Sequence, residues 1–294
     1  MPRLENIAHW LLIEVERPRP TFQHLLATER DGGRRFILEE LRTAVQEAHE
    51  DARRRLCRLA ATDLDPLANQ GVRADEALGY PQRLPIRTLK GYFGEFFAGV
   101  VAENCHPFDL RDWVVPAYLF RFHTVAFQQL DAAAQDGNAV GEIPGRTGDD
   151  CLAFRMDATT GLISAALFCE AKCTDDHDAH LVAEAHTKLS SRTERPADLL
   201  QLIEVLQASN APDARRWAGA LERLFWGQRA PGYARYDQIT YICGRSPARG
   251  GRTCWISRDG PHEAYRGGRS LHIAEIHLQG VDNLVAGVYG RREE

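Results

Sequence analysis

The sequence predicts an α/β fold with a mostly helical N-terminal extension. Three observations carry this expectation. From Arg34 to Ala60, Ile37, Leu41, Val45, Ala48, Ala52, Leu56 and Leu59 recur at spacings of four and three, the stripe of a long amphipathic helix. In the middle of the chain, two short apolar runs flank a stretch of turn residues, as the arms of a hairpin do. Beyond residue 178, helical periodicities give way to further strand-like runs. With 294 residues, 44% of them hydrophobic, the chain is long enough for one large or two small domains with a sizeable core.

His9–Val15 reads as a strand, and the long helix follows it. A connector rich in proline and polar residues, Thr62–Pro85, then suggests a boundary, giving an N-terminal region over 1–85 and a second domain over 86–294. Thr88–Glu103 has apolar residues at 89, 93, 96, 97, 100 and 101, a helical rhythm, with glycines at 91, 94 and 99 that would allow a close approach to a sheet. Trp113–His123 is expected as a strand and Val125–Ala134 as a helix.

Asp150–Arg155 and Leu162–Cys169 are strand-like, and Met156–Gly161 between them has the Asp, Thr and Gly of a hairpin loop. Their continuous hydrophobicity makes both strands look central in a sheet. Helices are expected over Asp178–Ser190, from Pro196 to about Gln207, and around Trp217, Leu221, Leu224 and Phe225, the last stopped by Gly227. Asp237–Cys243, Thr253–Ser257 and Leu271–Leu278 are strand candidates, and Val281–Tyr289 is a terminal helix.

Composition narrows the function classes. No apolar run approaches the roughly 20 residues needed to span a bilayer, so no membrane partner is expected. The N-terminus lacks a signal-peptide profile, and seven cysteines without scaffold spacing suit a reducing cytoplasm. There is no Gly-rich phosphate loop ending in Lys-Ser or Lys-Thr, and no Gly-x-Ser-x-Gly elbow. ATP-driven movement would therefore have to come from a partner.

The chemistry concentrates at the hairpin. Asp149 and Asp150 open its first arm, and Glu170-Ala171-Lys172 closes its second. Strand alternation sends Glu170 and Lys172 to one face and Ala171 to the other. Paired strands would bring two carboxylates and an ammonium to one spot. Mg²⁺, or Mn²⁺ in its place, takes oxygen ligands and needs only one or two carboxylates beside water and phosphate. Asp150 and Glu170 fit as ligands, with Lys172 steering a water or stabilising developing negative charge. Asp149 stays open as the alternative ligand.

Asp150 followed by Glu170-Ala171-Lys172, with a helix beginning near Asp178, resembles the PD-(D/E)xK nuclease superfamily. The resemblance implies a restriction-endonuclease-like core, a mixed central sheet flanked by helices, spanning roughly residues 88 to 245. It also implies metal-dependent hydrolysis of DNA phosphodiester bonds. Gly148-Asp149-Asp150 departs from the family's pattern in having no proline before the aspartate. The family often carries an acidic residue on the helix before the strands, which makes Glu95 an auxiliary catalytic candidate; an ordinary position at the margin of the apolar stripe is the other reading. Leu89–Glu95, Leu119–His123, Gly145–Asp150 and Cys169–Lys172, in that order, resemble more narrowly the nuclease subunit of Hachiman-type anti-phage defence systems. That resemblance implies a separately encoded helicase partner.

Net charge of −5 argues mildly against indiscriminate coating of nucleic acid. Local charge matters more, and Arg245, Arg249, Arg252, Arg258, Arg266 and Arg269 form a basic stretch opposed only by Asp259 and Glu263. Arg245, Arg249 and Arg252 are the candidate backbone contacts, and Trp255 and Tyr265 could stack on bases. A solvated basic loop is the competing reading, as is a non-cutting nucleic-acid sensor for the whole protein. Cys169, Cys173, His177 and His180 raise a zinc site, against which the lack of any Cys-x-x-Cys pair weighs; Asp176 or Asp178 there would instead cap a helix.

Overall fold

Two apolar runs and a tight loop place the hairpin at one side of a mixed sheet. The computed structural model describes residues 4–16, 19–61, 80–120, 148–247 and 253–290. Six strands, β1 (Leu11–Val15), β2 (Phe22–Glu29), β3 (Cys151–Met156), β4 (Ile163–Thr174), β5 (Ala234–Cys243) and β6 (Ser270–His277), lie in the order β1-β2-β6-β5-β4-β3. The inner pairs β2/β6, β6/β5 and β5/β4 are parallel, and the flanking pairs β1/β2 and β4/β3 are antiparallel. The fold is α/β, with helices on both faces of the sheet.

On one face sit α1 (Ile7–Trp10), α2 (Arg34–Ala61), α3 (Ile86–Cys105) and α7 (Val281–Val288). Their Ile37, Leu41, Phe93, Phe97 and Val285 pack on Ala153, Leu167, Ile242 and Ile276. On the other face, α4 (Ala179–Ser190), α5 (Leu199–Ala208) and α6 (Ala214–Phe225) lay Val182, Leu189, Leu202 and Leu221 over Leu152, Phe168, Ile239 and Ile273. Alternation along each strand feeds the two clusters in turn. α3 approaches β4 closely because Gly94 has no side chain: a Cβ there would stand 3.4 Å from the Cβ atoms of Ala171 and Cys173. At Gly99 a Cβ would lie 2.8 Å from the Tyr118 ring, whose hydroxyl donates to Phe96 O at 3.2 Å.

The structure differs from the sequence reading in five places. β4 is interior, but β3 is the outermost strand, met on its far side among the described residues only by a bridge between Val114 and Phe154. It reads as central because both faces are covered, and hydrophobicity reports covered faces rather than paired edges. Among the described residues of 1–85, the helices α1 and α2 are accompanied by β1 and β2, and β2 lies inside the sheet, Phe22 paired with Leu271. The expected boundary near residue 85 interrupts neither the sheet nor the core, since Trp10, Ile37 and Leu89 share one cluster. Thr253–Ser257 is no strand, because the Trp255 and Ile256 amides donate to the Glu275 carboxylate and not to a ladder. Trp113–Phe120 contributes only the Val114 bridge; residues 121–123 and the helix expected over Val125–Ala134 lie outside the described residues.

Candidate active site

The hairpin is held by its own loop. Asp157 Oδ1 accepts from the amides of Thr159 (3.1 Å) and Thr160 (2.7 Å), and Gly161 takes the left-handed conformation (φ 64°). Cys151 then pairs with Cys169, so Asp150 stands beside Glu170 at the opposite end of the arms. Asp150 Oδ2 accepts from the Ala171 amide at 2.8 Å. Its Oδ1 lies 3.1 Å from Lys188 Nζ, and the same ammonium is 2.6 Å from Glu170 Oε2. Lys172 Nζ is 3.3 Å from Glu170 Oε1 and 2.8 Å from Glu184 Oε1.

Burial sets the electrostatics of this cluster. Glu170 is 1% exposed, and its pKa is pushed up to about 8, first by burial and then by the Asp150 charge, against the pull of Lys188 and Lys172. Burial also works to raise Asp150, but Lys188, the Ala171 amide and Lys172 outweigh it and hold the carboxyl below the usual range. Burial works to lower Lys188, and the two carboxylates overcome it, raising the pKa. Two buried acids sharing one ammonium form a site that stabilises positive charge between them.

Asp149, the alternative ligand, is turned away. Its carboxylate accepts from the Ala197 amide at 3.0 Å and lies 3.4 Å from Arg192 Nε, while its own amide donates to Asp198 Oδ2 at 2.8 Å. It ties the start of β3 to the segment leading into α5. Asp150 is the aspartate that joins Glu170 and Lys172.

Glu95 is not brought into this cluster. α3 packs on the Ala171 and Cys173 side of β4, so it covers the face opposite Glu170 and Lys172. Glu95 is buried there, and its charge acts on the Tyr80, Tyr289 and Cys151 side chains. Lys188 and Glu184 are the residues that sequence reasoning missed. Both lie on α4, four positions apart and hence on one helical face, which was the available signal.

The basic stretch is largely occupied internally. Arg245 is exposed and pairs with Asp176 at 2.8 Å; Arg249 and Arg252 lie outside the described residues. Arg258 pairs with Glu16 at 2.9 Å, and Arg269 with the buried Asp237 at 3.0 Å. Tyr265 donates to Asp237 at 2.8 Å, while Trp255 stacks on His177 with ring centroids 4.1 Å apart. Asp178, one of the two expected caps, accepts from the His180 amide at the start of α4. Cys173 faces α3, whereas His177 contacts Tyr241 on the other face, so Cys173 and His177, two members of the set that the sequence raised and weighed against as a zinc site, lie on opposite faces of the sheet.

Among the described residues, no helix is long and apolar enough to cross a membrane. No protein-family model and no curated protein sequence matches the chain.

Proposed function

We propose that the protein is a Mg²⁺-dependent nuclease that hydrolyses DNA phosphodiester bonds, with Asp150 and Glu170 as metal ligands and Lys172 beside the attacking water. The observation that carries this reading is the convergence of both carboxylates on one cation, the Lys188 ammonium, at 3.1 and 2.6 Å. Their hard oxygen donors fit Mg²⁺ or Mn²⁺. A divalent ion held there would lower the pKa of a bound water and neutralise charge developing at phosphorus.

The chain's own residues supply the rest. Ala171 N–H fixes one Asp150 oxygen, leaving the other turned toward Glu170 and Lys188. Glu184 holds the Lys172 ammonium close to Glu170, where it can donate to a water or to a phosphate oxygen. Asp150 and Glu170 would hold the divalent ion in exchange for at least one of their contacts with Lys188, whose ammonium would then be available to a phosphate oxygen. The motif order supports a role in prokaryotic anti-phage defence alongside a helicase partner.

Changing Glu170→Gln or Lys172→Ala is expected to reduce metal-dependent plasmid cleavage by at least about a hundredfold, with the circular dichroism spectrum unchanged. Full cleavage by both folded variants would remove the proposal. Lys188 also favours a second reading, a non-cutting nucleic-acid sensor whose carboxylates are permanently neutralised by this lysine. DNA binding without cleavage under every metal condition, with or without a helicase partner, would select that reading.

A further inference from the structure

We propose that His24, Cys254 and Glu275 form a second metal site, one for a zinc-class ion, separate from the Asp150–Glu170 pair. One ligand atom from each residue lies within 4.8 Å of the other two. His24 on β2 and Glu275 on β6 are 1% and 0% exposed, while Cys254, on the bent segment after residue 252, is half-buried and gives access from solvent. Imidazole nitrogen, thiolate sulfur and carboxylate oxygen make a zinc donor set, and sulfur is a donor that Mg²⁺ does not seek.

The surroundings are those of an oriented ligand group. Glu275 Oε1 accepts from His277 Nε2 at 2.7 Å and from the Trp255 amide at 2.5 Å; Oε2 accepts from the Ile256 amide at 3.0 Å and lies 3.3 Å from His24 Nε2. Such contacts fix the direction of a ligating carboxylate. A hydrogen-bonded cluster without metal would explain these distances, but it leaves two features unused. His24 Nδ1 is buried and has no hydrogen-bond partner among the described residues. The Cys254 sulfur is brought to the same point.

Register places this site across the sheet from the hairpin. Lys172 pairs with Tyr241, and Tyr241 with Glu275, so the two centres are two strands, or roughly 10 Å, apart. An ion on Cys254 would pin the segment that carries Trp255, and Trp255 stacks on His177 just before α4. Metal in this position supports the helix that presents Glu184 and Lys188.

The test uses the full chain, stripped of metal with a chelator and titrated with Co²⁺ in the absence of DNA. A thiolate-to-cobalt charge-transfer band saturating at one equivalent, erased by Zn²⁺, is expected. Cys254→Ser should abolish the band, whereas Cys173→Ser and Glu170→Gln should retain it. His24→Asn should weaken binding by about tenfold or more. No band in the wild-type protein, or an unchanged band in folded Cys254→Ser, overturns the proposal. Cobalt on the carboxylates of the hairpin gives no sulfur band, so this outcome is independent of whether the protein cuts DNA.

Discussion

Asp149 and Asp150 are adjacent, yet their partners give them different work: Asp149 meets Arg192 and Ala197, and Asp150 meets Lys188 and Ala171. Asp149 meets a guanidinium that is 11% exposed and a backbone amide, so Asp149→Ala should cost on the order of 3 kcal/mol in urea unfolding. Asp150→Asn keeps an oxygen for the Ala171 amide and should leave the unfolding midpoint nearly unchanged while metal-dependent cleavage disappears. A larger stability loss at Asp150 than at Asp149 would reverse these assignments. Glu170 and Lys172 were legible because strand alternation is local and Ala171 between them points to α3. Lys188 was not, because its reach to Asp150 and Glu170 depends on where α4 lies across the strand ends. The place of Glu95 on the face opposite Glu170 was not legible either, because a helical stripe does not tell which face of a sheet it will cover.

At the level of elements, the long helix α2, the β3–β4 hairpin and most of the C-terminal elements followed from periodicity and turn chemistry. β2 did not, because Gln23 and His24 interrupt its apolar pattern, and both are buried against distant partners: Gln23 accepts from the Phe108 amide and His24 meets Glu275. A strand whose polar residues are satisfied through tertiary contacts carries no alternation to read. The glycines of α3 separate two structural roles. Gly99→Ala should destabilise by about 1–3 kcal/mol, since Tyr118 and the helix must move apart. Gly91→Ala, with nothing within 4 Å of its Cβ, should stabilise by up to about 1 kcal/mol through helix propensity. Equal shifts of the urea midpoint in the two variants would exclude close packing at Gly99.

Across the whole molecule, burial of ionisable groups predicts acid sensitivity. His49 stacks on Phe120 at 4.0 Å between the hydroxyls of Tyr80 and Tyr289, and burial, aided by the Arg53 charge, lowers its pKa from 6.5 to about 3. Below pH 6.5 the unfolded chain takes up a proton that the native state refuses, so stability is complete above that pH and falls toward pH 3. His49→Gln should flatten this dependence between about pH 6 and about pH 3 by as much as about 1.4 kcal/mol per pH unit. An unchanged slope would mean that His49 does not titrate with unfolding. The pairing of Phe22 with Leu271 has a consequence for synthesis. The hairpin carrying Asp150 and Glu170 leaves the ribosome well before β5 and β6, and β2 must wait with an open edge until β6 arrives. Non-local parallel pairing of this kind forms slowly and leaves strand edges open meanwhile. The nascent chain therefore carries Asp150 and Glu170 before it has β5 and β6, the strands that complete the sheet around them.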